Sequence, residues 1–433
     1  MRRTNKQSGI TLVALVITII ILLILAGIAI SSLTQTGLFS KAQEAKQKTE
    51  EKAEEENTTL NEYEKWIAKY ENNGYKGQPI TNVDTKETNP EGAMPKGTTG
   101  IEGDADKGTT GIEGDADKET IVIEGDAKKG IVIKDSNDNE WVWVEVPKTI
   151  FTTAKNNTDY TNIKADLVKY SKEYRNGAQG QDYNWDDEWY SGCGIETKEK
   201  YEEMYNKMLS SVYTNGGFWI ARYEAGIEGT NTDSKKDEID SIRYKHSDIT
   251  KDSPKAVSQA DRIPYNYVYC SEAQTLASAM STDSNKTSSL LFGIQWDLTC
   301  KFIETKTELE PKDIKTDSTI WGNYKNSSIT LTRGKYNIKP KEQSKWSNIT
   351  SDRKNKEMLL TTGASDDVKK MNIYDFAGNL WEWTLEKSGI EGSPNTMRGG
   401  SYCNDGSDRT ASFRCQRLPT ETYESQGFRS TLY

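Results

Sequence analysis

One histidine and five cysteines are the residues of this 433-residue chain with the most scope for covalent or metal chemistry, and their arrangement limits it. His246 alone cannot supply a three-histidine iron site or the several roles that hydrolysis needs. Cys193, Cys270, Cys300, Cys403 and Cys415 form an odd, sparse set from which no disulfide framework can be read. Cys403 and Cys415, twelve residues apart, pair only if the loops carrying them meet. They stand in a segment of another kind: Tyr402, Cys403, Asn404, Asp405, Ser407, Asp408, Arg409, Phe413, Cys415, Arg417, Leu418, Tyr423, Glu424 and Ser425, with neither helical nor strand period. Such a mixture makes contacts rather than bonds, with Phe413, Leu418 and Tyr423 as apolar anchors and Arg409 and Arg417 as charged or bidentate donors.

Rigid sequence flanks this segment. Trp381 and Trp383 alternate in Tyr374-Asp375-Phe376-Ala377-Gly378-Asn379-Leu380-Trp381-Glu382-Trp383, so a strand points both rings at one core face. Gly378-Asn379 is a turn that starts this strand. Gly399 and Gly400, after Arg398 and before Ser401, let a neighbouring ring or backbone approach closely. Gly427-Phe428-Arg429 closes the segment. Trp381, Trp383, Arg398, Gly399, Gly400 and Phe428 are therefore scaffold. Upstream, residues 131–133 and 141–146 read as strands around an Asn137-Asp138-Asn139 hairpin turn. Residues 160–212, 271–280 and 290–303 read as mainly helical, and 305–357 as loops with short strands. The class is α+β.

These residues, with Gly217-Phe218-Trp219-Ile220-Ala221-Arg222-Tyr223-Glu224 and Gly293-Ile294-Gln295-Trp296-Asp297, resemble the formylglycine-generating-enzyme-like branch of the C-type lectin fold over roughly residues 131–433. Within that branch the arrangement most resembles the variable proteins of diversity-generating retroelements. The resemblance implies that the segment between the RGGS-like and GFR-like anchors, inside 398–433, is rewritten and serves as the ligand-binding surface. Chance occupancy of such positions is then the simpler account of Cys403 and Cys415. It also implies that an N-terminal strand of the domain lies near the C-terminal one. Formylglycine-generating enzymes use a cysteine pair at positions that are Asn404 and Arg409 here. The iron-dependent sulfoxide synthases need several histidines. The calcium motifs of sugar-binding lectins are missing from the C-terminal region, and Asn184-Trp185-Asp186 only inverts one of them. The expectation is a ligand-binding protein with no catalytic residue, metal or cofactor. A formylglycine-type oxidase and a minor pilin are the alternatives.

The N-terminus is basic through Arg2, Arg3 and Lys6, and an uncharged apolar run then covers residues 10–33. Twenty-four helical residues would span roughly 36 Å, enough to cross a bilayer. Residues 1–33 are expected to be a single-pass membrane anchor, with the rest of the chain extracytoplasmic at the cell surface. This tip resembles a type IV prepilin leader, which implies processing between Gly9 and Ile10. Ala14 stands where most pilins carry a glutamate, which favours an anchored or minor pilin-like protein over a fibre subunit. Residues 34–73 read as a helical stalk.

Residues 74–130 form a linker. Residues 96–106 and 107–117 are both KGTTGIEGDAD, and 118–128, KETIVIEGDAK, is a diverged third copy. Gly, Asp and Thr at this density imply short turns between brief extended pieces, and so a spacer. The formal net charge of −10, with acidic groups spread along the chain, argues against nucleic acid, whose phosphates need clustered Lys and Arg. The expected partners are the membrane, a macromolecular or cell-surface ligand, and pilin-like proteins.

Overall fold

The computed structural model describes residues 17–25, 46, 99–101, 120–122, 129–175, 184–229, 253–281, 285–338, 346–348 and 357–433. The chain divides into two units, Met1–Gly74 and Tyr75–Tyr433. In the first, residues 17–25 are helical and their apolar side chains are exposed. Gly9, Ile10 and most of the anchor and stalk lie outside the described residues. Among the described residues no helix is long and apolar enough to cross a membrane.

In the second unit, β1 (Thr99–Ile101) and β2 (Thr120–Val122) belong to the first and third repeat copies and pair in parallel. The head begins with the expected hairpin, β3 (Val132–Lys134) and β4 (Glu140–Glu145), which turns at Asp138 with φ +61°. Helices α1 (Tyr160–Tyr170) and α2 (Lys172–Arg175) follow, then β5 (Trp185–Asp186). The described part of 160–212 is mainly helical, as expected, but residues 184–197 leave the helix, where β5 pairs with a later strand.

Helix α3 (Lys198–Asn215) starts where the Thr197 hydroxyl accepts from the Lys200 amide, and ends at Gly216 in the left-handed region. It buries Tyr201, Tyr205, Met208, Leu209 and Val212, spaced to form one face. Strand β6 (Gly217–Ala221) then lies along β4, with Trp143 opposite Trp219 and their rings 5.0 Å apart.

After β7 (Gly226–Ile227) and β8 (Ala256–Val257) come α4 (Cys270–Ser278), β9 (Ser288–Leu290) and α5 (Gly293–Lys306). The helix expected over 290–303 begins later, since Leu290 is committed to a strand. The stretch 305–357 holds the expected short strands, β10 (Lys335–Asn337) and β11 (Ser347–Asn348), and, beyond the expectation, a short helix, α6 (Pro311–Lys315); β12 (Leu359–Leu360) follows it. The C-terminal part supplies β13 (Trp381–Ser388), β14 (Asn395–Arg398), β15 (Arg414–Arg417), β16 (Gln426–Phe428) and β17 (Ser430–Leu432).

Two sheets result, the first antiparallel throughout and the second mixed, because β16 runs parallel to β13. One sheet runs β3-β4-β6-β17-β9 and the other β15-β14-β13-β16, with β5 also paired to β13. Strand β6 intervenes between N-terminal β4 and C-terminal β17, so the two chain regions share a sheet without pairing directly. Trp141, Trp143, Trp219, Trp296 and Trp383 are all buried in one core. The α+β class follows from this arrangement.

Candidate functional site

Gly399 and Gly400 show how the segment is launched. Both have positive φ, +94° and +74°. A Cβ on Gly399 would press on the Trp296 ring, and one on Gly400 would meet the Arg409 carbonyl at 2.2 Å. Trp296 stacks on Phe376 at 4.2 Å and donates its indole N–H to the Ala411 carbonyl at 2.9 Å. The chain therefore leaves β14, loops outward and is drawn back onto the helix α5 tryptophan.

The outward loop is fastened to the turn after α6. Ser318 N–H donates to the Gly406 carbonyl at 3.0 Å, and Gly406 N–H donates to Asn326 Oδ1 at 3.0 Å. Lys325 N–H donates to the Asn404 carbonyl, while Asn404 Oδ1 accepts from the Ser401 hydroxyl at 2.8 Å. Residues 318–326 thus wall the candidate site. Their polar sequence gave no periodic signal that would have placed them there.

Beyond Arg409 the chain turns inward. Thr410, Ala411, Ser412, Phe413 and Arg414 are buried. Phe413 corrects the expectation of an exposed anchor: it packs edge-on to Trp381 at 6.0 Å, and the Arg409 guanidinium covers its ring at 4.6 Å. Tyr402 is likewise buried, with Leu359 and Leu380, and half-buried Cys403 leans on that cluster beside Trp346. Glu424 is buried too, its carbonyl accepting from Asn266 Nδ2 at 2.8 Å. In each case a neighbour from a distant part of the chain closes over the side chain, which local sequence does not report.

The remaining expected residues lie at the surface or half-buried. Ser407, Asp408, Leu418 and Tyr423 are exposed, and Cys403, Asn404, Asp405, Arg409, Cys415, Arg417 and Ser425 are half-buried. Asp405 faces Lys325 at 3.8 Å, and Asp408 pairs with Arg409 at 2.8 Å. All five cysteines are free thiols. Burial raises the Cys415 thiol above its ordinary value, against the pull of Arg417 and Arg409.

Under this surface sits an ion-pair network that sequence reasoning missed apart from Arg398, expected only as scaffold. Arg414 bridges Glu386 and Asp297, with Nε 3.0 Å from each Glu386 oxygen and Nη2 2.7 Å from Asp297 Oδ2. Arg398 reaches the same two acids at 3.2 and 2.8 Å, and Arg175 joins them from α2. Burial alone would raise the Asp297 carboxyl, but Arg414, Arg398 and Arg175 together hold it low. Asp187 accepts from the Gly293 and Ile294 amides at the α5 N-terminus. Gly293 itself is needed because a Cβ there would meet the Glu386 carboxylate at 2.5 Å.

A second buried group holds the closing anchor. Arg429 pairs with Glu382 at 2.8 Å and donates to the Ala221 and Tyr374 carbonyls, while Glu224 accepts from Asn379 Nδ2 and the Leu380 amide. Burial drives Asp375 up to about 6 and Glu382 up to about 7, with Arg429 opposing both. Glu224 is pushed higher by burial and by its neighbours Asp375 and Glu382. Trp381, Trp383, Arg398 and Phe428 are all buried, and the Trp383 indole donates to the Val268 carbonyl. Among the described residues no set of three or more His, Cys, Asp or Glu side chains is arranged to hold a metal ion.

Residues 197–432 match the sulfatase-modifying factor enzyme 1-like domain. The chain belongs to that family. Strands β3 and β4 extend the sulfatase-modifying factor enzyme 1-like domain on its N-terminal side, since they complete the same sheet as β6 and β17. Among solved structures, the chain is similar to the crystal structure of CarF, with TM-score 0.29 and 14% identity over 50% of this chain and 85% of that one. It is also similar to Treponema denticola variable protein 1, with TM-score 0.25 and 13% identity over 50% of this chain and 84% of that one. No curated protein matches it. Within this sulfatase-modifying factor enzyme 1-like domain, Asn404 and Arg409 occupy the positions where the resemblance to formylglycine-generating enzymes puts cysteines. Asn404 there accepts from Ser401, and Arg409 lies over Phe413.

Proposed function

We propose that this chain is a surface-displayed ligand-binding protein, an adhesin or receptor, that binds a macromolecular or cell-surface partner through outward side chains of residues 403–425 and performs no catalysis there. One observation carries the reading. Four large apolar side chains are exposed in the described head, and two of them, Leu418 at 40% and Tyr423 at 44%, belong to this one segment. Apolar groups held in water, Leu418 directly after Arg417 in the chain, on a backbone tied down at both ends, form a contact surface. Asn404 and Arg409 supply no thiolates, which supports binding over oxidase chemistry. The resemblance to diversity-generating-retroelement variable proteins supports a segment whose coding sequence is rewritten. The apolar N-terminal run supports display on a single-pass anchor.

The nucleotide sequence around the gene tests diversification. A reverse transcriptase gene and a near-copy of the 398–433 coding segment, differing only at adenines, are expected. A locus with neither overturns the variable-protein reading. The purified chain is further expected to leave a cysteine-containing peptide unoxidised and to carry no stoichiometric copper or iron. Turnover with bound copper overturns the non-enzymatic reading.

A further inference from the structure

A cleft of about 620 Å³ opens beside the C-terminal end of α5, and no residue of the 402–426 segment lines it. Four lysines, Lys129, Lys306, Lys369 and Lys370, line it against two acids, Glu308 and Asp313. The lining thus carries more cations than anions, in a chain whose formal net charge is −10, and two of the cations are paired from outside it. Lys306 is engaged with Glu145 at 2.9 Å and Lys369 with Asp366 at 3.5 Å, while the Lys370 ammonium has no ion-pair partner among the described residues. The apolar part of the lining is Leu309, Met371 and Ile320. Ile320 is 69% exposed, more than any other large apolar side chain described. An apolar spot edged with ammonium groups is suited to an aliphatic side chain followed closely by carboxylates.

The linker carries that pattern. Ile112-Glu113-Gly114-Asp115-Ala116-Asp117 places one aliphatic residue before three acids, and the repeat tract runs into the cleft at Lys129. β1 and β2 belong to the first and third copies, and β2 lies against β3 of the head. Parallel strands need a crossover of a dozen or more residues, so the second copy is the connection between them. Ile112 is eight residues before Thr120, where β2 is fixed against β3, an extended reach of about 27 Å. We propose that the cleft is a docking site for residues 107–117 of the same chain, with Ile112 on Ile320 and Leu309 and the acids toward the lysines.

The test uses the chain lacking residues 96–117 and a fluorescently labelled KGTTGIEGDAD peptide, read by polarisation. Saturable binding that weakens with salt is expected, as is about tenfold weaker binding to the full chain, whose own copy competes in place. Lys370→Glu and, separately, Ile320→Asp in the deletion chain are each expected to weaken binding about tenfold, roughly 1.4 kcal/mol, with unchanged thermal melts. The peptide KGTTGIQGNAN, its acids made amides, is expected not to bind. Absence of binding, equal binding by the amide peptide, or indifference to both substitutions overturns the proposal. Full-chain binding as tight as that of the deletion chain overturns docking within one chain, as does repeat-dependent dimerisation at micromolar concentration.

Discussion

The Arg414 guanidinium Nε lies 3.0 Å from both carboxylate oxygens of Glu386, and neither side chain is exposed. Arg414 sits on the edge strand β15 and Glu386 two strands inward on β13, so the pair reaches across β14. The candidate surface is therefore two outward stretches, 403–409 and 415–425, with a core-bound stretch between them.

Arg414→Ala is expected to cost about 3–5 kcal/mol, because Glu386 and Asp297 are left buried with less compensating charge. Arg417→Ala, three residues on and half-buried, is expected to change stability by within ~0.5 kcal/mol. Denaturant melts of the two variants check this. Equal losses would show that the segment is not divided as described.

Tolerance should follow exposure. Leu418→Ser with Tyr423→Ser is expected to leave the melt nearly unchanged, each within ~0.5 kcal/mol. Phe413→Ala removes a ring packed on Trp381 and is expected to cost about 3 kcal/mol, and Trp383→Ala about 3–5 kcal/mol. Thermal denaturation of the three variants decides it.

The thiols divide in the same way. Burial pushes Cys270 up to about 12 and drives Cys300 further, and Cys193 is raised by burial too. Iodoacetamide at pH 8 is expected to modify half-buried Cys403 first and Cys415, half-buried but raised by burial, more slowly in the native chain, and the three buried thiols only after unfolding. Peptide mass spectrometry reads the sites, and native labelling of Cys270 contradicts the core assignment.

Stability should fall as pH rises through mildly acidic values. Asp375 and Glu382 have folded values raised to about 6 and about 7, so the folded state binds more protons than the unfolded one from about pH 4 upward. Their contribution is full below pH ~4 and is lost as pH rises through their folded values. Asp297, held low, acts oppositely and loses its contribution as pH falls below ~4. Asp375→Asn is expected to raise the pH 7.5 melting temperature and flatten the decline, by on the order of 2–3 kcal/mol. Melts at half-unit pH steps test the sign.

Deleting residues 1–33 is expected to release the chain from the membrane fraction, because no comparable apolar run remains. Retention of the deleted chain after a high-salt wash contradicts a single anchor.

Much of the scaffold was legible because its signals are local. Trp381 and Trp383 alternate, Gly378-Asn379 turns, and the 131–146 hairpin carries its own turn residues. The ion-pair network was not, since Arg175, Asp297, Glu386 and Arg414 are scattered over more than two hundred residues and share no period. Phe413 and Arg414 look like their neighbours in sequence. Trp381 and Glu386 on β13, with Asp297 on α5, separate them from Leu418 and Tyr423.

β17 lies between β6 and β9, inside its sheet rather than at an edge, and the candidate surface precedes it in the chain. A nonsense codon or frameshift within 403–426 therefore removes the sheet's inner strand along with the Arg429–Glu382 pair. Such a product exposes two unpaired strand edges and is marked for aggregation or proteolysis. The fold thereby proofreads its own gene, since only versions translated through the surface in frame can complete the sheet.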